Sequence, residues 1–520
     1  MPTRSHCSLS LAPSARLIRF NEWCKRLAVS GANLINDQND QSTRGCMKKL
    51  IAGLVAIGVA AWPAATWFYG QRAQASAEQF SAAITQAVPY LSVASSEYSK
   101  GFMSSTHTLR MRPSLPALPG KTWPEIVIQN KIEHGPFPGF STVAAARISH
   151  SIVWPAEVKA QLTKLWGEKE PLSMLTTIAI GGGGVTTVTS PAATGKFDTA
   201  NVAFQGLNGR MNFTAGFEKI DYVLDIAGAS VEDPQGKLSV GKISSSGSQT
   251  KLAGTERVYT GKQTAKFDSL ELDSKGQSAA AIRGMTYNVE TSAPEANLLS
   301  GAGKFNGASL KVAGIDLGGF DYDYSMSKLH APSVEAIGKA LQNANPTSNT
   351  PEAAKASSDA MIAAVQKHLP ELSRHVPKFN LDRFRIGTLQ DYAQINGSMF
   401  LKPLTAEESK SMMAALPKLD ASFNIEVTDS IIRMLVDQTG KRMMAGQAEA
   451  LSQLPPEQRA TMQTQMEQQT KMMVDEQIAQ LVQQGLVVRA VGKVSSQIAL
   501  KDGKLTVNGK EVGQGLLAAR

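Results

Sequence analysis

The hydrophobic pattern divides the chain into two parts. Leu50–Tyr69 is a run of twenty residues without a charge, which as an α-helix rising about 1.5 Å per residue matches a hydrocarbon core of about 30 Å. From there to about Lys328, short runs alternate apolar and polar side chains with the period of two that gives a strand one core face and one solvent face. The pattern predicts a transmembrane helix followed by a β-rich body.

The charges beside the apolar run predict its orientation. Lys48 and Lys49 precede it, and Arg72 is the first charge after it, so the positive-inside bias places the N-terminus in the cytoplasm. We therefore expect a single-pass protein of the bacterial inner membrane, anchored in the membrane through residues 50–69, with its C-terminal body in the periplasm. The alternative is a signal peptide cleaved after Ala75. We favour an anchor because the run exceeds the roughly 7–15 apolar residues of most signal peptides.

Beyond the anchor, the alternating runs predict an antiparallel sheet system. The clearest runs are Tyr222–Ile226, Phe267–Leu272, Met285–Val289 and Phe320–Ser327. Glycine, asparagine, aspartate and serine separate them, and these residues favour turns. A short amphipathic stretch, residues 75–91, precedes the runs.

From residue 333 the pattern changes to a mixture of helix and strand. Helices are predicted at Val334–Leu341, Pro351–Leu369 and Thr405–Leu416, and strands at Phe379–Leu381 and Tyr392–Leu401. Glu408 lies three residues after Thr405, the spacing of a capping box. The polar hinge at residues 343–349 predicts a domain boundary.

The last predicted elements are a long helix and a hairpin. Pro456 suits the first turn of a helix and Gly485 the position after its end, and methionine and glutamine are abundant between them. The dipeptides Asp502-Gly503 and Asn508-Gly509 follow Ile498 and Leu500 and surround Leu505 and Val507. Such dipeptides are typical of two-residue hairpin turns.

The predicted fold class is α+β, with an N-terminal transmembrane anchor, an extended antiparallel β-rich body, and a helical Met/Gln-rich C-terminal part closed by a β-hairpin. Residues 47–71 form the anchor, 72–332 the β-rich periplasmic domain and 333–520 the α+β domain. Residues 1–46 are polar and basic without sustained periodicity. We interpret them as an untranslated or disordered extension, because Met47-Lys48-Lys49 is typical of a start before such a segment.

Charge and cysteine content narrow the class of protein. The formal net charge of +9 comprises +3 before Met47, +2 on Lys48 and Lys49, and +4 on all that follows. The body is therefore near neutral, and no nucleic-acid partner is expected. All three cysteines precede Met47, so disulfides do not hold the body together, and the omission of thiols fits export.

Four segments resemble the YdgA-like family of bacterial proteins. They are Trp67–Gly70, Tyr98–Ser105, Ile132–Pro138 and Asp502–Lys510. Their order and spacing along Met47–Val512 carry the resemblance, and residues 1–46 have no counterpart in it. It implies an inner-membrane, periplasm-facing protein, with self-association as one expectation and without an activity established across the family.

The histidines do not predict a catalytic or metal site. They are scattered along the chain, and only His368, Glu371 and His375 come near a metal motif. The two histidines are seven residues apart with Pro370 between them, which argues against one helix face. His134 opens His134–Pro138, which we interpret as a rigid turn after a strand rather than a catalytic segment.

Other motifs also favour structural roles. Gly181–Gly184 lacks the lysine of a phosphate loop and is interpreted as a turn, and no Gly-x-Ser-x-Gly nucleophile elbow occurs. Asp321 and Asp323 are expected to share the solvent face of a strand. Nine of the nineteen methionines lie in residues 412–473. We expect them to fill the core, with an adaptable apolar groove as the alternative.

Three functions remain open on the sequence. The first is a non-enzymatic envelope protein acting through protein interaction or as a homo-oligomer, without cofactor or metal, and we favour it. The second is a binder or carrier of lipid or another apolar envelope molecule in a cleft between sheet and helices. The third is a hydrolase of cell-wall or lipid material, which requires a titratable cluster such as His134 with a distant carboxylate.

Overall fold

A computed structural model covers most of the body. It describes residues 65–71, 73–74, 91–113, 125–197, 199–274, 277–312, 315–343, 351–434, 436 and 455–512. Most of the predicted anchor and nearly all of the amphipathic stretch before residue 91 lie outside the described residues, so both stay predictions. None of the described helices is long and apolar enough to span a bilayer.

Strands dominate the described residues. They are β1 (Leu91–Lys100), β2 (Ser104–Pro113), β3 (Ile126–His134), β4 (Ala146–Val153), β5 (Ser173–Ile178), β6 (Gly184–Ser190), β7 (Ala193–Phe197), β8 (Ala200–Phe204), β9 (Leu207–Phe213), β10 (Lys219–Ile226), β11 (Ala229–Asp233), β12 (Gly236–Val240), β13 (Ile243–Lys251), β14 (Tyr259–Ser274), β15 (Gln277–Glu295), β16 (Leu298–Gly307), β17 (Ser309–Val312), β18 (Ile315–Asp316), β19 (Gly319–His330), β20 (Lys378–Gly387), β21 (Tyr392–Leu401), β22 (Leu419–Thr428), β23 (Val488–Ala490), β24 (Lys493–Lys501), β25 (Lys504–Val507) and β26 (Lys510–Glu511). The predicted β-rich body is therefore confirmed.

Helices are fewer and lie mainly after β19. They are α1 (Ala156–Trp166), α2 (Ala331–Asn343), α3 (Pro351–Arg374), α4 (Met412–Ala415) and α5 (Pro456–Gln483). Short 3-10 turns occupy Pro138–Phe140, Ala215–Phe217, Glu408–Lys410 and Leu416–Lys418. The helical residues 66–71 and 73–74 are called the N-terminal helix below. The described residues after 65 belong to one compact unit.

One antiparallel ladder runs through most of the sheet. Its strand order is β1-β2-β3-β4-β5-β6-β9-β10-β13-β14-β15-β16-β19-β20-β21-β22-β24-β25-β26. Because β14 and β15 are long, their far halves also carry a branch, β7-β8-β11-β12 on β14 and β17-β18 on β15. The predicted antiparallel pairing is confirmed.

The main ladder has one apolar face. Along β9, Leu207, Met211 and Phe213 are half-buried, whereas Asn208 and Asn212 between them are exposed. Register carries this alternation from strand to strand, since residues opposite one another point to the same side. We call the side of the main ladder that bears Met211 the apolar face. Its side chains are mostly half-buried, unlike the fully buried interior of a two-layer sandwich.

A small buried core lies at the N-terminal end of the ladder. Ala73 of the N-terminal helix packs against Ile132 and Ala146, and Tyr98 and Ile148 surround them. This contact holds the N-terminal helix, just after the predicted anchor, against strands β1, β3 and β4. The body therefore begins directly where the uncharged run ends.

Local turn chemistry correctly predicted the C-terminal elements. Helix α5 begins at Pro456 and is followed by Gly485 at φ 74°. Strands β24 and β25 flank Asp502-Gly503, whose residues have φ of 51° and 77°. Positive φ at both central positions is the geometry that the hairpin turn requires.

Three local predictions were wrong. Helix α3 continues through Pro370 to Arg374, because a proline removes one helix hydrogen bond yet keeps a helical φ. The helix predicted from Thr405 is broken into short turns, although the capping contacts form, with Glu408 N donating to Thr405 Oγ1 at 3.2 Å. The methionines are not core residues where they are described in α5, since Met472 is 66% exposed.

The aspartates of β19 also differ from expectation. Asp323 is buried rather than solvent-facing, and Arg383 of β20 donates to it at 2.8 Å. Arg383 also lies 3.7 Å from Asp321. A cross-strand guanidinium thus covers the pair on the side opposite the apolar face. The division between the predicted domains, after residue 332, falls near the junction of β19 and α2, while the ladder continues from β19 to β20. Residues 344–349 of the predicted hinge lie outside the described residues. The division into two domains stays a prediction.

Candidate functional site

Strands β2, β3 and β4 bring two histidines and an asparagine into one row on the apolar face. Cross-strand pairing places His107 opposite Asn130 and Asn130 opposite His150, and all three are buried. The Asn130 amide donates to His107 Nδ1 at 3.1 Å, and its oxygen accepts from His150 Nδ1 at 2.7 Å. With this amide orientation, a neutral His107 carries its proton on Nε2 and a neutral His150 on Nδ1.

Hydroxyl groups complete the row at both ends. His107 Nε2 donates to Ser96 Oγ at 2.9 Å, and His150 Nε2 accepts from Thr176 Oγ1 at 2.9 Å. Thr176 Oγ1 lies 2.9 Å from Thr186 Oγ1 on the next strand. Burial and, to a lesser extent, the neighbouring His107 lower the pKa of His150 to about 4. His150 is therefore uncharged at neutral pH.

A cavity of about 290 Å³ lies between this row and the N-terminal helix. Tyr69 and Ala73 line it from the helix, and Ile148, Met211 and Phe213 line it from the sheet. The buried polar row forms another part of its wall. Small-molecule sites combine apolar walls with a few placed polar groups. This cavity suits an apolar molecule that carries a small uncharged or weakly polar group.

His134 secures the N-terminal helix against the sheet. Its Nδ1 donates to the carbonyl oxygen of Phe102 at 2.9 Å, so its Nε2 accepts from Ser105 Oγ at 2.9 Å. Gly70 lies so close that a Cβ there would come within 2.8 Å of His134 Nδ1. Burial lowers the pKa of His134, the Phe102 carbonyl opposes this, and Lys100 adds to it.

The same geometry bears on the hydrolase hypothesis. Ser105, the only nucleophile bonded to His134 among the described contacts, is a buried residue with 3% exposure. A backbone carbonyl rather than a carboxylate orients the imidazole. A serine nucleophile needs an oriented base and an open face for substrate. The arrangement supports the predicted structural turn at His134–Pro138 and gives a hydrolase no accessible centre here.

Large apolar side chains are exposed at this end of the sheet. The β1–β2 and β3–β4 turns meet where His134 N donates to the Met103 carbonyl at 2.9 Å, and the β5–β6 turn joins them where Ala145 N donates to the Ile178 carbonyl at 2.8 Å. The exposed residues on these turns and on the N-terminal helix are Trp67, Phe68, Phe102, Met103, Phe137, Phe140, Val143 and Ile180. Such a patch is typical of a membrane or protein contact.

A second histidine group lies at the end of β19. His330, Glu371 and His375 have donor atoms within 4.8 Å of one another, and the two imidazole rings stack with centroids 5.2 Å apart. His330 Nδ1 is held by the Ser333 hydroxyl at 2.8 Å. These are donor types that zinc accepts. However, Arg374 already contacts Glu371 at 2.9 Å, so the trio is equally suited to a structural role.

The interpretation of the histidines as scattered was therefore wrong. The register of β2, β3 and β4 brings His107 and His150 into one row. At the end of β19, His330 and not His368 lies beside Glu371 and His375. One signal was available in the sequence. His107 and His150 lie at positions that place them on the same side of their strands as the apolar residues, which predicts that they are buried and hydrogen-bonded. This pattern does not show which strands are neighbours in the sheet.

Comparison with known proteins assigns the chain to a family. Residues 47–513 match the family described as "Bacterial protein of unknown function (DUF945)". The chain belongs to this family. No curated protein and no solved structure matches it.

The family match covers every part of the candidate site. In this DUF945 member it includes the N-terminal helix, the polar row on β2–β6 and the hairpin of β24 and β25. Residues 1–46 lie outside the match. The site therefore belongs to the part of the chain that defines the family.

Proposed function

We propose that this chain is a membrane-anchored, periplasm-facing envelope protein of the YdgA-like type that binds an apolar envelope molecule on its sheet. The body acts as a binder or carrier and not as an enzyme. The uncharged run Leu50–Tyr69 with Lys48 and Lys49 before it supports the anchor and its orientation. The exposed aromatic turns beside the N-terminal helix fit the interface of that membrane.

The cavity beneath the N-terminal helix carries the proposal. Tyr69, the last residue of the uncharged run, lines it, so the cavity is close along the chain to the predicted anchor. Its walls are mostly apolar, and the hydrogen-bonding groups of the His107–Asn130–His150 row are already satisfied by one another. Such a site favours a hydrocarbon chain over a charged metabolite, because burying an unpaired charge is costly.

Lipid analysis tests this function. The full chain is purified in mild detergent, extracted with organic solvent and analysed by mass spectrometry. Met211→Trp places a larger side chain into the cavity, whereas Asn208→Trp places the same side chain on the exposed side of the same strand. We expect co-purified lipid in the wild type and in Asn208→Trp and a loss in Met211→Trp. Absence of lipid from folded wild type would contradict the proposal.

A second function, protein interaction or self-association, has its own observation. On the branch of the sheet, Val231 pairs with Leu238 and Leu238 with Leu272, and all three side chains are between 42% and 46% exposed. An apolar row open to solvent favours a protein contact. Crosslinking in intact cells, compared between wild type and Leu238→Lys, tests it: a partner or dimer lost in the variant supports this function, and an unchanged pattern removes the row as its basis.

A further inference from the structure

The apolar face extends far beyond the cavity. Register places one aromatic or aliphatic side chain on each of six successive strands of the ladder in a single row. These are Tyr287, Phe305, Tyr322, Phe384, Ile395 and Ile425. Tyr287 and Phe305 touch edge to face with centroids 6.3 Å apart, as do Tyr322 and Phe384 at 6.1 Å. All six are half-buried, so hydrocarbon is the main surface this face offers.

An adjacent row links the cavity to the C-terminal hairpin. It starts at Met211 in the cavity wall, continues through Tyr222, Tyr324 and Phe423, and ends at Val507 of β25. Neither row contains an acidic or basic residue between β9 and β25. The eleven strand-to-strand steps from β9 to β25, at roughly 4.8 Å each, give a charge-free surface about 50 Å long measured along the sheet.

Glycines opposite aromatic residues flatten this surface. Tyr222 pairs directly with Gly247, and Phe423 with Gly397. A Cβ on either glycine would lie 2.5 Å from the ring opposite. Three further pairs repeat the arrangement, and these are Phe213 with Gly184, Tyr324 with Gly303, and Phe320 with Gly307. Each ring thus lies over a glycine instead of standing up from the sheet, which leaves a low and largely apolar floor. Apart from the tyrosines, Gln263 is the one polar side chain in the row from Met211 to Val507.

From these rows we infer that the apolar face is one continuous binding surface for the acyl chains of membrane lipids, from the N-terminal helix to the C-terminal hairpin. The inference rests on the proposed function and extends it from one cavity to the whole ladder. The occupant is lipid because both rows are free of charge, because the floor is smooth rather than pocketed, and because the surface begins where the uncharged run Leu50–Tyr69 enters the body. An extended protein segment would leave its backbone polar groups unpaired on such a face.

Site-specific photocrosslinking in cells tests the inference. The photoreactive residue p-benzoylphenylalanine replaces one residue of the full chain at a time, and lipid is detected by metabolic labelling of acyl chains with radioactive acetate. Positions on the apolar face are Met211, Phe305 and Ile498. Matched controls are their exposed neighbours Asn212, Lys304 and Gln497 on the opposite side of the same strands. We expect labelled lipid on the chain at all three apolar positions and its loss at all three controls.

The other possible results distinguish the continuous surface from the cavity alone and lipid from a protein as the occupant. Crosslinks at Met211 alone overturn the continuous surface while the cavity function stands. No lipid at any apolar position overturns both. Crosslinks to a protein at Phe305 and Ile498 overturn lipid as the occupant, and equal labelling of the two sides overturns the selectivity of the face.

Discussion

The pairing of Gly303 with Tyr324 offers a quantitative test of the flattened floor. A Cβ at Gly303 would overlap the Cε1 and Cζ atoms of the Tyr324 ring, and the ring is stacked against Phe379 with centroids 6.4 Å apart. Gly303→Ala must therefore turn the ring out of its site. Overpacking typically costs about 1–3 kcal/mol, and replacing a strand glycine returns roughly 0.5–1 kcal/mol. We expect a net destabilisation of about 1–2 kcal/mol.

A double-mutant cycle isolates the ring contact. In a Tyr324→Ala background no ring occupies the space, so Gly303→Ala should be neutral or stabilising by up to about 1 kcal/mol. The expected coupling is on the order of 1–3 kcal/mol, measured by thermal or urea unfolding of the full chain in detergent. Gly338→Ala is the control, because a Cβ there meets nothing within 4 Å. Equal cost of Gly303→Ala in both backgrounds would refute the reasoning.

Three further predictions concern other parts of the molecule. The pKa of an unfolded histidine is near 6.5, whereas that of folded His150 is about 4, so the contribution of His150 to stability is complete above pH 6.5 and falls by roughly 3 kcal/mol as the pH drops to 4. The melting temperature measured against pH tests this. An acid slope in His150→Gln that equals the wild-type slope would contradict it. Arg383→Gln leaves the Asp323 carboxylate buried beside a neutral partner and should lower the free energy of unfolding in urea by about 1–3 kcal/mol. Adding Asp323→Asn to this variant should restore part of the loss. An unchanged free energy of unfolding in both variants would show that the pair contributes nothing. Mass spectrometry of the native protein should find an N-terminus at Met47, and peptides from residues 1–46 would disprove that start.

Local chemistry explains which elements the sequence predicted. The turn Asp502-Gly503 and the end of α5 at Gly485 depend on residues within a few positions, whose backbone preferences act without tertiary context. Alternation likewise identified the strands Tyr222–Ile226 and Phe320–Ser327. These features were confirmed because each is set by its own segment.

The site itself depends on long-range register, which no local pattern contains. Asn130 separates His107 from His150 because β3 lies between β2 and β4, and a shift of one residue would turn the asparagine to the other face. Tyr324 of β19 pairs with Gly303 of β16, and the strands β17 and β18 lie between these two strands in the chain. Charge reasoning failed at Asp323 for the same reason, since Arg383 comes from a strand beyond two helices.

The proposed binding of envelope lipid requires that the body lie in the periplasm. Alkaline phosphatase, which is active only after export, and green fluorescent protein, which fluoresces only if it folds in the cytoplasm, are fused separately after Arg520 and expressed in bacteria. The account predicts an active phosphatase and a dark fluorescent fusion, since Lys48 and Lys49 hold the N-terminus inside. A bright fluorescent fusion with an inactive phosphatase would place the sheet in the cytoplasm and contradict the account.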